Sequence, residues 1–386
     1  MNKTTTQLLR NINQNILNKF MDLSTLDVDN QMQFLRSLPA PKDLLQRSYF
    51  QYLCQMKTQP YIYNIAQNIA ALILLPIYFF ILMILSIRND TIPKERKNCA
   101  IFFHANLFLI PVCLKNEYSE IISCKVGEKM RMSKQERFFI TNLINKYWHA
   151  PYFIFKCMLK ICTYCGQIIK FNPEAIIASC EYSFTSSILT EYCHQRGVEH
   201  INIMHGEKLL HIRDSFVQYD RFYVWDEHYI SLLTDLRADK DQFRVALPST
   251  LRLECTNPEK LIYNYTYFLQ YTKKDYLLKV KQSLLSLHVN KEKICVRYHP
   301  LHSDKKIIRQ IFKDFIIENP HEVSLAQSLS MTESAIAAFS TVLYQAYVCS
   351  KTVVIDDITN IEEYKKLKKM RYIMLEKPHK KLSELI

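Results

Sequence analysis

The stretch Glu174-Ala-Ile-Ile-Ala-Ser179, then Ser183 to Arg196, Gly197, and His200-Ile-Asn-Ile-Met204 decides the fold. Two short apolar runs read as buried strands, the segment between them as a helix, and Gly197 as its C-cap. The pattern extends in both directions. Upstream, Cys99–His104 and Glu120–Cys124 read as strands and Lys134–Ile169 as a long helical region. Downstream, Arg221–Trp225 is a strand, a helix runs to about Leu236, and Gln242–Leu247 is a further strand before a boundary at Pro248. The remainder repeats the logic: helices over Asp275–Leu287, Ser303–Glu318 and Thr341–Val348, and strands over Lys293–Tyr298, Ser334–Ala338 and Lys351–Ile355. Strands alternating with helices specify a parallel sheet covered on both faces. The expected fold is therefore α/β with two Rossmann-like domains, 98–248 and 249–386, after an N-terminal helical, membrane-associating segment, 1–97. Ligands of such sheets sit at the carboxyl ends of strands, at topological switch points, and the active cleft is expected between the halves.

The first segment has its own character. Thr58 to Ile87 holds no charged residue, and Ile69–Ile87 approaches the ~20 apolar residues that cross a bilayer as a helix. Pro76 would kink it, which membrane helices tolerate. Arg88, Lys94, Arg96 and Lys97 follow as a basic flank. The helix expected over Asp43–Lys57 is basic and aromatic. Together these lead to an expectation of attachment to the inner leaflet, with 69–87 either spanning the membrane or lying on it.

Composition narrows the function. The 386 residues include only four glycines, Gly127, Gly166, Gly197 and Gly206, so neither a Gly-x-Gly-x-x-Gly turn nor a P-loop can be written. Dinucleotide dehydrogenases, P-loop ATPases and protein kinases are poor fits, and a phosphate site must use helix starts, hydroxyls and basic side chains. A net charge of +13 suits a phosphate-bearing substrate or an anionic membrane surface. The lysines are spread rather than clustered, so no nucleic-acid partner is expected. Twelve scattered cysteines and a polar stretch from Met1 to Asn30, which reads as an amphipathic helical segment rather than a secretory signal, lead to an expectation of reduced thiols and a cytoplasmic location. Cys157, Cys162 and Cys165 have the partial spacing of an iron–sulfur run, but they lie on an apolar helix without a fourth ligand and read as buried thiols. The Asp-x-Asp at Asp27-Val-Asp29 reads as a solvated helix or loop, and no metal site is expected.

Four constellations fall at strand ends. His205-Gly206-Glu207 follows the strand ending at Met204, and His205 or Glu207 could act as general base for an acceptor hydroxyl; a turn with a polar edge is the plainer reading. Arg297-Tyr298-His299-Pro300 ends a second strand, where Arg297 and His299 can donate to phosphate. Ser340-Thr341 opens a helix, offering hydroxyls and free amides, with Gln345 one turn on along the same face. Asp226, ending the strand from Arg221, and Glu181, after the strand ending at Ser179, could orient an acceptor or cap a helix.

Taken together and in this order, His205-Gly206, His299-Pro300 and Ser340-Thr-Val-Leu-Tyr-Gln-Ala346 resemble bacterial surface-polysaccharide transferases of the GT-B fold. That group includes capsule sialyltransferases, Kdo transferases and teichoic-acid polyol-phosphate polymerases. The resemblance covers about Cys99 to Leu375. It implies that His299, Ser340 and Thr341 hold the donor phosphate and nucleotide, that Gln345 contacts the ribose, and that His205 or Glu207 lies near the acceptor. Two positions depart from it: Met204-His205 stands where sialyltransferases carry an acidic pair, and Gln345 where many members carry Glu. The implied function is metal-independent, cofactor-free transfer of a sugar from a nucleotide-activated donor, a CMP-sugar in preference, to a glycan or lipid-linked acceptor at the cytoplasmic face of the bacterial inner membrane. The alternatives are a CDP-polyol phosphotransferase and a non-catalytic membrane-bound assembly protein.

Overall fold

A computed structural model describes residues 27–85, 96–255, 262–270, 273–301 and 303–386. Most of the expected Met1–Asn30 helix, Ser86, Ile87, and the flanking Arg88 and Lys94 lie outside them. Contacts group the chain into two compact units. One comprises residues up to His205 with His211–Ala246, and the other Gly206–Leu210 with Leu247–Ile386.

The first unit is built on β1 (Lys97–Phe102), β2 (Glu120–Ser123), β3 (Pro173–Ala178), β4 (Glu199–Ile203), β5 (Arg221–Val224) and β6 (Phe243–Val245). They form one sheet in the order β2-β1-β3-β4-β5-β6, and every pair is parallel. The strand order reverses between β1 and β3. Among the described residues three helices precede β1: α1 (Val28–Ser37), α2 (Leu44–Thr58) and α3 (Tyr61–Leu85). Asp27 is the N-cap of α1 and accepts from Asn30 N–H at 2.9 Å. The basic, aromatic helix expected to meet the membrane, α2, instead packs within this unit. Its Gln51 amide donates to the carbonyls of Glu181 (3.1 Å) and Arg213 (3.0 Å), and Ser48 Oγ accepts from Ile188 N–H at 2.8 Å. These bonds satisfy backbone groups that the sheet leaves unpaired.

The long helical region predicted over Lys134–Ile169 is two helices, α4 (Lys134–Tyr147) and α5 (Pro151–Phe171). Pro151 explains the break, because a proline is accommodated in a first turn and not in a helix interior. Within α5, Gly166 is required: a Cβ there would stand 1.8 Å from the Lys129 carbonyl oxygen. Cys157, Cys162 and Cys165 are buried in the core on this helix. Burial pushes all three thiols up, that of Cys165 to about 12, as inert core cysteines require. The unit also holds α6 (Ser186–Gln195), α7 (Glu227–Asp235) and a single helical turn at Val112–Lys115.

The start of α4 is tied to the end of α6 through one buried carboxylate. Glu136 forms a capping box with Ser133, accepts from Tyr192 Oη at 2.7 Å, and pairs with Arg196, whose Nε lies 2.9 Å away. Burial alone would raise the Glu136 carboxyl, but the Arg196 charge and the hydrogen bonds more than offset it, and the group is held below its ordinary value.

The second unit contains β7 (Tyr263–Phe268), β8 (Ile294–Arg297), β9 (Ile316–Glu318), β10 (Thr332–Ala337), β11 (Thr352–Ile355) and β12 (Lys380–Lys381). The order is β12-β11-β10-β7-β8-β9, again all parallel. Read from β7, this is the 3-2-1-4-5-6 order of the dinucleotide-binding fold, with its switch point between β7 and β10. The helices are α8 (Lys274–Leu285), α9 (Lys305–Ile311), α10 (Leu325–Met331), α11 (Thr341–Val348) and α12 (Ile361–Lys369). The helix expected over Ser303–Glu318 stops at Ile311, and Ile316–Glu318 becomes the edge strand that pairs with β8. The central β7 is an addition to the sequence reading. Both units are thus Rossmann-like α/β sheets.

Replacing Arg196 with Met should strand the Glu136 carboxylate and destabilise the protein by about 3–5 kcal/mol, the usual cost of removing one partner of a buried pair. Denaturant unfolding measures this, and a loss below about 1 kcal/mol would show that the pair is as weak as an exposed one.

Candidate functional site

Parallel pairing sends the carboxyl ends of all strands in a sheet to one edge, so residues just beyond the strands are the ones to examine. In the first unit, Glu181 follows β3 and His205 follows β4, and these two strands are hydrogen-bonded neighbours. The structure brings the two side chains together: His205 Nδ1 lies 3.4 Å from Glu181 Oε1. Glu181 is fully buried while the His205 side chain keeps 32% exposure. Asn202 braces the pair, donating to Glu181 Oε2 at 3.4 Å and accepting from Cys180 N–H at 3.1 Å. No hydrogen bond joins the two atoms, so the contact is electrostatic, and a carboxylate at this distance favours a proton on the facing ring nitrogen. Sequence reasoning named both residues but gave them separate standing, because residues twenty-four apart in the chain carry no sign of adjacency until the register of β3 and β4 is known.

Glu207 lies two residues beyond His205. The segment Gly206–Leu210 groups with the second unit, where Leu210 N–H donates to the Met370 carbonyl at 2.8 Å. Both Glu207 carboxyl oxygens are buried without a hydrogen-bond partner, and burial pushes the group up to about 8. It lies within electrostatic reach of Tyr372, whose phenol is raised by burial and then by the Glu207 charge. Tyr372 in turn donates its hydroxyl to the Ser340 carbonyl at 3.1 Å and accepts from Ser340 N–H at 3.4 Å. A carboxyl that is mostly neutral at pH 7 does not repel an anion nearby, and it can donate a hydrogen bond.

Ser340 and Thr341 follow β10, at the β7/β10 switch point. Ser340 is the N-cap of α11: its Oγ accepts from Val342 N–H at 3.3 Å and its carbonyl from Leu343 N–H at 3.0 Å. Among the described residues no group takes up the Thr341 N–H or hydroxyl, so these donors stand at the positive end of the helix. His299 lies just past β8 on the same edge. Its Nδ1 accepts from Leu301 N–H at 3.1 Å, which places the ring hydrogen on Nε2, and its own N–H donates to Ser303 Oγ at 2.9 Å. With β7 between them, β8 and β10 are two strand spacings apart, about 10 Å.

Three of the expected site residues make contacts within the fold. Arg297 is buried and ion-paired with Glu318 on the neighbouring β9, so its guanidinium braces the sheet instead of meeting a phosphate. The Gln345 side-chain N–H donates to the Thr250 carbonyl at 3.1 Å, anchoring the chain before β7. Asp226 is the N-cap of α7, accepting from His228 N–H at 2.9 Å. Tyr372 was missed, and it could not have been found: Met370-Arg-Tyr-Ile373 carries no motif, and its link to Ser340 exists only after folding. No group of three or more His, Cys, Asp or Glu able to hold a metal ion occurs among the described residues.

No protein-family model matches the chain, and no curated relative matches it in sequence. Solved structures resemble it distantly. The Methanocaldococcus jannaschii UDP-GlcNAc 2-epimerase in complex with UDP-GlcNAc and UDP is 12% identical over 72% of this chain and 92% of its own, with a TM-score of 0.39. S. aureus MnaA in its co-structure with UDP is 8% identical over 67% and 78%, at 0.41. The calicheamicin glycosyltransferase is 10% identical over 71% and 83%, also at 0.41. At such scores the fold description rests on the strand order and register given above.

Burial makes the Glu207 carboxyl a pH-dependent contributor to stability. Its folded value lies above its unfolded value, so its contribution to stability is fully present below pH ~4.5 and is lost as pH rises through about 8. Glu207→Gln removes that loss. Thermal unfolding should show the variant gaining on the wild type steadily from pH 5 to pH 8, whereas parallel curves would show that the carboxyl is solvated.

Proposed function

We propose that this chain is a nucleotide-sugar-dependent glycosyltransferase of the GT-B kind, with the second unit taking the donor and the first activating the acceptor. The observation that carries the reading is the glycine-free helix start at Ser340-Thr341. It stands at the β7/β10 switch point with His299 on the same edge of the sheet. This is where dinucleotide-binding sheets hold phosphates, and here a threonine N–H, a hydroxyl and an imidazole N–H replace the usual glycine turn.

The chemistry follows from the residues. His205 Nε2 takes the proton from an acceptor hydroxyl while Glu181 stabilises the imidazolium. The oxygen bonds to the anomeric carbon as the bond from that carbon to the phosphate oxygen breaks, and the nucleotide leaves with the electron pair. Thr341, the helix dipole and His299 Nε2–H meet the charge that develops on the leaving phosphate. Glu207, in its neutral form beside Tyr372, adds no opposing charge. We take the donor to be a CMP-sugar and the acceptor a surface polysaccharide or lipopolysaccharide, as the order of the His-Gly, His-Pro and Ser-Thr motifs suggests.

Calorimetry with CMP, CDP and UDP tests the donor assignment. The wild type should bind at least one of them, and His299→Ala and Thr341→Val should each lose about tenfold or more in affinity, a charged-group hydrogen bond being worth about 1.5–3 kcal/mol. Absence of nucleotide binding, or unchanged affinity in both variants, would overturn the reading. Separately, His205→Ala should lower kcat by about 100-fold or more while leaving nucleotide affinity in place, as loss of a general base does.

A further inference from the structure

We infer that α3 docks the protein on a lipid bilayer by lying along its surface, one face in the membrane and the other on the protein, rather than by crossing it. The inference rests on the faces of this helix and on no part of the transferase reading.

The 25 residues from Tyr61 to Leu85 carry no charge, and the most apolar 18 residues within Tyr61–Ile84 have a mean hydropathy of 2.2. Length and composition alone do not decide what such a helix does, as α5 demonstrates. Pro151–Phe171 also qualifies as a span, yet 67% of its apolar window is buried, and it is a core helix. For α3 the corresponding share is 11%.

The contacts that α3 makes are all on one side. Ala71 and Leu82 are buried, and Leu75 and Phe79 pack against the core of the first unit. Tyr78 stands edge-on to Phe155 of α5, with ring centroids 5.5 Å apart. Near its start, Asn64 donates to the Met56 carbonyl at 2.8 Å, and Asn68 accepts from Tyr152 N–H at 3.3 Å. These ties run from the first turns of the helix to Leu82, so the helix is held alongside α2 and α5 for most of its length. A spanning helix must meet lipid around most of its circumference at mid-bilayer, and the soluble body of the first unit would have to follow α3 into the hydrocarbon. Lying in the interface removes that conflict.

The other side is an unbroken apolar stripe. Ile62, Ile69, Leu72, Ile73, Phe80 and Ile84 recur at helical spacing and keep 48–67% of their surface exposed. Lipid fits this face better than a protein does. Protein interfaces combine an apolar centre with a polar rim, and α3 has no charged side chain to supply one. The chain after the helix adds Arg88 and Lys94, and the net charge of +13 favours anionic headgroups.

The full-length protein should float with vesicles of phosphatidylcholine containing phosphatidylglycerol. The double variant Leu72→Gln/Phe80→Gln alters exposed positions only and, with its circular dichroism unchanged, should partition about tenfold or more weakly, since each side chain withdraws apolar area from lipid. Tryptophans introduced singly at Ile62, Leu72 and Ile84, read against the wild-type signal in brominated lipids, should report one common shallow depth. A depth profile deepest at position 72 would mean a spanning helix and overturn the inference. So would failure of the wild type to float, including the case in which the same face instead forms a concentration-dependent dimer.

Discussion

Parallel pairing is the constraint on which the rest of this structure depends. A parallel strand cannot return through a tight turn, so each strand is followed by a crossover, and all carboxyl ends in a sheet finish at the same edge. The two six-stranded sheets are therefore each asymmetric, with one edge that collects the segments leaving the strands. Glu181 and His205 meet because β3 and β4 are neighbours in register. Ser340 and His299 share an edge because β10 and β8 flank β7. Neither grouping depends on proximity in the chain.

Burial of polar groups at those edges then separates structural roles from chemical ones. Arg297 and Glu318 neutralise each other between β8 and β9, and Glu136 with Arg196 ties α4 to α6. A further knot joins Tyr267, Asp356 and Thr359, with Tyr276 Oη 2.8 Å from Tyr267 Oη, and holds β7 against the end of β11. These charges and dipoles are spent internally. The pair formed by Glu181 and the partly exposed His205, the donors of Thr341, and the unpartnered Glu207 carboxyl are different: each has capacity that the fold does not consume. Such residual capacity at strand ends is the physical mark of a site.

Much of this was legible in the sequence, and the exceptions have specific causes. Strands rich in Ile, Val and Ala, such as β3, β4 and β11, stand out by composition, and α11 is bounded by its own N-cap. The central strand β7 was overlooked because Tyr263-Asn-Tyr-Thr-Tyr-Phe268 alternates tyrosine with polar residues, so its burial is visible only once Tyr267 has found Asp356. The break between α4 and α5 was announced by Pro151, and the early end of α9 by nothing local, since Ile316–Glu318 becomes a strand only through pairing with β8. The strand-end positions of the site residues could be read off the pattern. Their partners could not: Arg297 looked like a phosphate ligand until Glu318 was placed beside it.

The central claim is that the glycine-free start of α11 holds the phosphate of a nucleotide. A crystal structure of the full chain saturated with a cytidine or uridine nucleotide tests it most directly. The account predicts a phosphate oxygen about 3 Å from the Thr341 N–H, with the His299 imidazole turned toward the same phosphate. A nucleotide bound elsewhere, or an empty helix start at saturating ligand, would contradict it.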